Sequence, residues 1–241
     1  MTECIAFVSG KGGTGKTSML SGIATGLARY NHQVLCIDMD MGFRNLDLSL
    51  GFRDEMLMDF TDVASKRCSL DRAIHRHHEL ENLHMLTAPV YPSDDLTPEA
   101  ISPLFEQAEP FYDYILIDSS AGIERSFALS THQVTRVIVV STCELPALRG
   151  ARRTVEELSQ PANLLLNKMD KRVVKKMGFT IDDAMDTVGL PLIGYVPEDP
   201  KIPLYANEGK LFTKETKTGA GLAFDNIAQR LMGRRIPLMN L

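Results

Sequence analysis

Seven short apolar runs punctuate the chain, and each is closed by polar or small residues. They are ECIAFVS (3–9), HQVLCIDMD (32–40), LHMLTAP (83–89), FYDYILIDSS (111–120), TRVIVVSTCE (135–144), ANLLLNKMD (162–170) and LPLIGYVPEDP (190–200). Their apolar centres are continuous rather than alternating, which is the pattern of strands covered on both faces. Between them lie stretches of helical character: MLSGIATGLARY (19–30), DLTPEAISPLFEQAE (95–109), PALRGARRTVEEL (146–158) and GAGLAFDNIAQRLMG (219–233). The last is amphipathic, with Leu222, Ile227 and Leu231 among its apolar positions. Thr97 and Pro98 read as cap and first residue of the second of these helices. Residues from Asp54 to about Glu81 read as two short helices. Strand and helix alternate along the whole chain, so the expected fold is α/β: a single domain over 1–241, a doubly wound and mostly parallel sheet with helices on both faces.

Bulk composition narrows the function without naming it. A chain of 241 residues is long enough for one domain with a sizeable core. Its 44% hydrophobic and 24% charged content is ordinary for a soluble globular protein. Twenty-six basic against 31 acidic residues leave a formal charge of −5, so no global basic field calls for nucleic acid or an anionic membrane. Arg152, Arg153, Lys171, Arg172, Lys175 and Lys176 form a local basic group whose plainest reading is a solvated face. The cysteines at 4, 36, 68 and 143 contain no C-x-x-C pair, which argues against a disulfide framework or a zinc or iron–sulfur site. MTECIAFVSG runs straight into the first strand, and no run of about 18 apolar residues follows, so a cytoplasmic protein is expected.

The chemistry starts at SGKGGTGKTS (9–18), which fits G-x-x-x-x-G-K-[ST] with Gly10, Gly15, Lys16 and Thr17 in the defining positions. Between a strand and a helix this pattern makes a phosphate cradle. Glycines let successive backbone N–H groups from Lys11, Gly12, Gly13, Thr14, Gly15 and onward to Ser18 surround an anion. The helix start adds its positive end. Lys16 supplies a mobile cation, and the Thr17 hydroxyl can join the oxygen shell of Mg²⁺. Two further strands end in acids, Asp38 and Asp40 on one and Asp118 on the other. In a parallel sheet these strand ends share the edge where ligands gather. Asp118 placed downstream of such a loop suits Mg²⁺ held through water. Ser119 to Gly122 would then form a mobile loop that senses the terminal phosphate. His75, His77, His78 and His84 cluster around Arg76; His75 and His78 would share a helix face, yet no cysteine or acid completes a metal site, and a solvated face is the favoured reading.

KGGTGKT, IDMDMGFRNLDL, LTPEA, IDSSAGIE, VPEDP and AFDNIAQRLMG together resemble the MinD/ParA family of dimerising ATPases with a deviant phosphate loop, over nearly the whole chain. IDMDMGFRNLDL and SSAGIE favour its MinD side. The resemblance implies an ATP-dependent homodimer that hydrolyses ATP slowly, with Mg²⁺ as cofactor and MinC- or MinE-like protein partners. It implies that Lys11 crosses the dimer to the partner's phosphates. It also implies that Asp38 helps hold the Mg²⁺ hydration shell with Thr17 and Asp118, and that Asp40 positions the attacking water. Asn167 is implied as an adenine reader, with Pro197, Glu198 and Asp199 as a second base-contacting loop. Three positions depart from the family. Ser120 stands where proline is usual, which would loosen its loop. Gly150 and Arg152 stand in a region that is commonly acidic. RRIPLMNL stands where the family continues into a basic amphipathic helix, so weak membrane binding is expected, with any membrane contact made through a partner. Other readings are a DNA-associated or flagellar-placement member of the same family, a phosphate-loop kinase or ligase, and a binding module that no longer hydrolyses ATP.

Overall fold

The computed structural model describes residues 1–41, 43–52, 57–91, 96–123, 125–212 and 219–239. Gly42, Asp54, Asp95 and Glu124, which belong to stretches singled out above, lie outside the described residues. The apolar runs form strands β1 (Glu3–Ser9), β2 (Val34–Asp38), β4 (Leu83–Leu86), β5 (Tyr114–Ala121), β6 (Arg136–Ser141), β7 (Ala162–Met169) and β8 (Leu192–Pro197), and a two-residue strand β3 (His75–Arg76) precedes β4. One sheet joins them in the order β3-β4-β2-β5-β1-β6-β7-β8. Every pairing is parallel except β3 with β4.

Burial on both faces explains the continuous apolar runs. Ile5 and Phe7 of β1 join one core cluster with Leu20 and Ile23 of α1 (Lys16–Arg29) and Phe224 and Ile227 of α11 (Gly219–Leu231). Their neighbours Ala6 and Val8 point the other way, into a cluster with Leu148 of α7 (Leu145–Glu156). Toward the β4 side, Leu35, Ile37 and Ile117 pack under α3 (Phe60–Ala64) and α5 (Ser102–Ala108).

Several local readings are corrected. The stretch after Asp40 holds a short helix, α2 (Leu46–Leu50), with Gly51 in the left-handed region as its stop. The two short helices before Glu81 are α3 and α4 (Leu70–Ala73), and they end before the histidines. His75 lies in β3, so His75 and His78 share no helix face. Thr97 closes a 3₁₀ turn over Glu99–Ile101, while α5 itself starts at Ser102 with Pro103 in its first turn. Four helices escaped the reading: α6 (Arg125–Thr131), α8 (Lys171–Met177), α9 (Ile181–Val188) and α10 (Lys201–Asn207). Of these, α9 announces itself, because Thr180 and Asp183 form a reciprocal capping box. Strand β5 runs on to Ala121, so most of the segment from Ser119 to Gly122 is strand rather than loop. After α11, the Arg230 guanidinium donates to the carbonyls of Ile193, Ile236 and Pro237, and the Tyr195 hydroxyl donates to Met239 O at 2.6 Å. These bonds hold residues 236–239 beside β8.

Helices α1 and α11 meet closely at Gly22. A Cβ placed there would lie 2.6 Å from three ring atoms of Phe224, a fully buried side chain. Alanine is the better helix former by about 1 kcal/mol, but overpacking a rigid core costs about 1–3 kcal/mol. Gly22→Ala is therefore expected to lower stability by about 1 kcal/mol, read as a lower urea midpoint at unchanged slope. A higher midpoint would show that the Phe224 ring yields.

Candidate functional site

The loop between β1 and α1 owes its path to glycine. Gly15 caps α1 at φ 86°, in the left-handed region, and a Cβ there would sit 2.3 Å from Asn167 Nδ2. Conformation and space both exclude a side chain. Gly10 meets α7 backbone to backbone: its Cβ would fall 2.0 Å from the carbonyl carbon of Gly150. That contact gives Gly150 a physical reason where the family resemblance suggested an acid.

Strand β7 fastens the loop from the other side. Asn167 Nδ2 donates to Thr14 O at 2.8 Å, Lys168 Nζ donates to Gly13 O at 2.9 Å, and Asn167 Oδ1 accepts from Lys168 N. Lys168 holds φ 54° to do this. Nothing in the sequence marked Lys168, because its partner is a backbone carbonyl 155 positions away. From β5, Gly122 N donates to Ser9 O. The loop is thus braced by two neighbouring strands.

The acids converge at the carboxyl edge of the sheet. Asp38 and Asp118 are register partners on β2 and β5, both fully or almost fully buried. Lys16 Nζ lies 2.6 Å from Asp118 Oδ1, and Thr17 Oγ1 donates to Oδ2 at 2.6 Å. Burial raises the Asp118 carboxyl above its ordinary pKa despite the lowering pull of Lys16 and Thr17. Burial also pushes Asp38 up to about 7, helped by the charge of Asp118. Both Asp38 oxygens accept backbone N–H groups, from Asp40 at 2.9 Å and Leu46 at 3.3 Å. Asp38 therefore shapes the following turn as well as carrying charge toward the edge.

Two adjoining cavities open over this loop and share Gly15 and Ser18. The first, about 850 Å³, is lined by Gly12 to Ser18, Asp40, Phe43, Ser120 and Ser126. The second, about 750 Å³, is lined by Asn167 to Lys171 and Pro197 to Pro200. Asp40 is half-buried on the first. Pro197, Glu198 and Asp199 border the second; Glu198 N donates to Met169 O, and Asp199 caps the start of α10 through Lys201 N. Asn167 is buried there with its amide engaged by the phosphate loop, leaving one donor and one acceptor position for anything else. Ser120 is tied to Ser126 by a hydroxyl hydrogen bond. Lys11 stands apart: its side chain is 52% exposed, and its ammonium lies 3.7 Å from Glu144 Oε2, itself 67% exposed.

These features fit a nucleoside triphosphate with a divalent cation. Thr14 Oγ1 is buried without a partner among the described residues, and the α1 N-terminus faces the cradle. Asp38 and Asp118 side by side repel each other until a cation or proton arrives. Thr17 adds an oxygen of the type that Mg²⁺ prefers. The ammonium of Lys16 has three donors, and Asp118 accounts for one.

The chain matches the CobQ/CobB/MinD/ParA nucleotide binding domain over residues 5–212. Its sequence is 36% identical to the septum site-determining protein MinD of Synechocystis and 32% identical to that of Bacillus subtilis, each over 100% of this chain and 93% of the relative. Its fold superposes with a TM-score of 0.91 on a chain of the MinC:MinD cell division protein complex of Aquifex aeolicus, 32% identical, covering 99% of both chains. It also resembles Pyrococcus horikoshii MinD complexed with Mg-ADP, with a TM-score of 0.80 and 27% identity over 96% of both chains.

Lys16→Ala removes the only side-chain cation buried against the cradle among the described residues. Charge-assisted hydrogen bonds contribute about 1.5–3 kcal/mol, so ATP binding in calorimetry should weaken about 10- to 150-fold. Unchanged affinity would take Lys16 off the phosphates.

Proposed function

The chain belongs to the CobQ/CobB/MinD/ParA nucleotide-binding family, and we propose that residues 1–241 work as one ATP-driven switch of the MinD kind, pairing with a second copy while ATP is bound. It is an ATPase that uses Mg²⁺, and division-site placement is the process in which it acts. The relatives are septum site-determining proteins, and a MinC-like protein is the partner that the Aquifex complex suggests. Among the described residues no helix is long and apolar enough to cross a membrane. We place the switch in the cytoplasm, meeting the membrane through a partner.

Lys11 carries this reading. In cis the phosphates already have Lys16 and the loop amides, so a second lysine in the same loop is superfluous unless it serves another chain. Its position supports that use: the side chain leans out of the loop into solvent, and its ion pair among the described residues is an exposed one with Glu144. Such pairs are worth about 0–1 kcal/mol, so a phosphate from a partner replaces Glu144 readily. A cation delivered in trans to a transferring phosphoryl group acts where charge spreads over its outer oxygens.

Within one chain the roles divide by position. The amides from Gly12 to Ser18 and Lys16 hold the phosphates. Thr17, Asp118 and Asp38 would hold Mg²⁺, which would supply positive charge to the phosphates. Asp40 borders the phosphate cavity and orients the attacking water. Asn167, Pro197, Glu198 and Asp199 border the cavity for the base.

Two substitutions separate these roles. Asp40→Ala should keep ATP affinity, lose turnover and accumulate dimer in sedimentation with ATP; normal turnover would remove Asp40 from the reaction. Lys11→Ala should bind ATP within roughly tenfold of the parent, about 1.4 kcal/mol, yet remain monomeric with an ATP analogue. Its turnover should fall by about 10³ or more, the effect of a trans cation in comparable enzymes. A normal dimer with normal turnover would reduce Lys11 to a solvated lysine.

A further inference from the structure

At the opposite edge of the sheet, by the amino ends of β2, β4 and β5, lies a cavity of about 600 Å³ that nucleotide chemistry does not use. Its walls are mainly apolar, with Leu70 and Ile74 from α4 and its end, and Phe111, 71% exposed, at the lip. Two side chains of a different kind reach it from the short antiparallel pair. Arg76 of β3 and His84 of β4 are register partners, so they stand side by side on one face.

His84 is 6% exposed, and its Nδ1 is buried without a partner among the described residues. Tyr112 meets the ring edge-on at 5.4 Å and offers packing to its face. Burial, and then the Arg76 charge, push the His84 pKa down to about 4, so the ring is neutral at physiological pH. The Arg76 guanidinium makes no hydrogen bond or ion pair with a described residue. Two acids, Asp71 and Glu106, also line the cavity; both are exposed, and neither pairs with Arg76. A fork of donors and a neutral imidazole therefore flank an apolar hollow in a chain that is acidic overall.

We propose that this cavity binds a small amphipathic carboxylate, its flat or aliphatic body among Leu70, Ile74 and Phe111 and its carboxylate on the Arg76 guanidinium. Guanidinium presents two parallel donors to a carboxylate, and the neutral His84 ring walls the hollow beside it. A volume of this size suits a small molecule, and a mostly apolar pocket with a few convergent polar groups is the usual form of such sites. The site is independent of the nucleotide site, which lies at the other ends of the strands.

The test uses the full chain and 2-naphthoate, with 2-naphthalenemethanol as a neutral counterpart of the same shape. Calorimetry should give one naphthoate per chain, and amide NMR shifts should gather at residues 70–76, His84 and 111–112. Arg76→Ala should weaken naphthoate about tenfold or more, the worth of a charge-assisted hydrogen bond, and leave the weaker neutral analogue unchanged. Ile74→Glu should abolish both, while ATP affinity in each variant matches the parent and certifies the fold. Lys16→Ala, which weakens ATP binding, should keep naphthoate binding. Failure of naphthoate to bind, equal binding in Arg76→Ala, or shifts centred elsewhere would overturn the proposal.

Discussion

Asp118 sits in the carboxyl half of the central strand β5, buried beneath the phosphate loop and gripped by Lys16 and Thr17 from the first turn of α1. A carboxylate in that position is tolerable only with cationic and hydroxyl partners, because an isolated charge out of water is costly. The partners must come from α1, and α1 must begin where it does, because the left-handed Gly15 turns the chain out of the loop there. Sheet order, loop path and helix start thus answer to one buried carboxyl group. Burial, and then the charge of this group, disfavour ionisation of its neighbour Asp38.

Around this centre the loop is held by contacts that leave little room for change. Gly10 against Gly150, Gly15 against Asn167, and the Thr14 and Gly13 carbonyls bound by Asn167 and Lys168 fix its position. These contacts also link the two cavities. Asn167 and Lys168 of β7, which border the second cavity, are also the residues that brace the loop, so the two cavities share one connected framework. By contrast Lys11 is exposed, and its ion-pair partner among the described residues is the equally exposed Glu144. The loop thus combines a tightly packed cradle with an exposed cation at its outer side.

Much of this was legible along the chain. The strands were visible because both sheet faces are covered, which makes their apolar runs continuous. The phosphate loop was visible because its glycines answer to local backbone conformation. Asp38, Asp40 and Asp118 were placed at one edge because parallel strands bring their carboxyl ends together. The failures have equally plain causes. His75 was read as helical since a short polar stretch carries no period, and it is β4 that recruits it into a strand. Helices α8 and α10 bury almost nothing, so they left no apolar signature.

By itself, then, the sequence determined the elements whose cause is local: a loop that only glycine can follow, strands too apolar to face water, and acids set where strands stop. Tertiary structure alone decided the pairings. Lys16 meets Asp118 across 102 positions and Thr14 meets Asn167 across 153, and Arg76 stands beside His84 only because a two-residue strand adds to the sheet edge. Such contacts arise from the order in which strands lie side by side, which no spacing within the chain records. Local conformational preference acts over a few residues, whereas burial and hydrogen bonding select partners from the whole chain once it is compact.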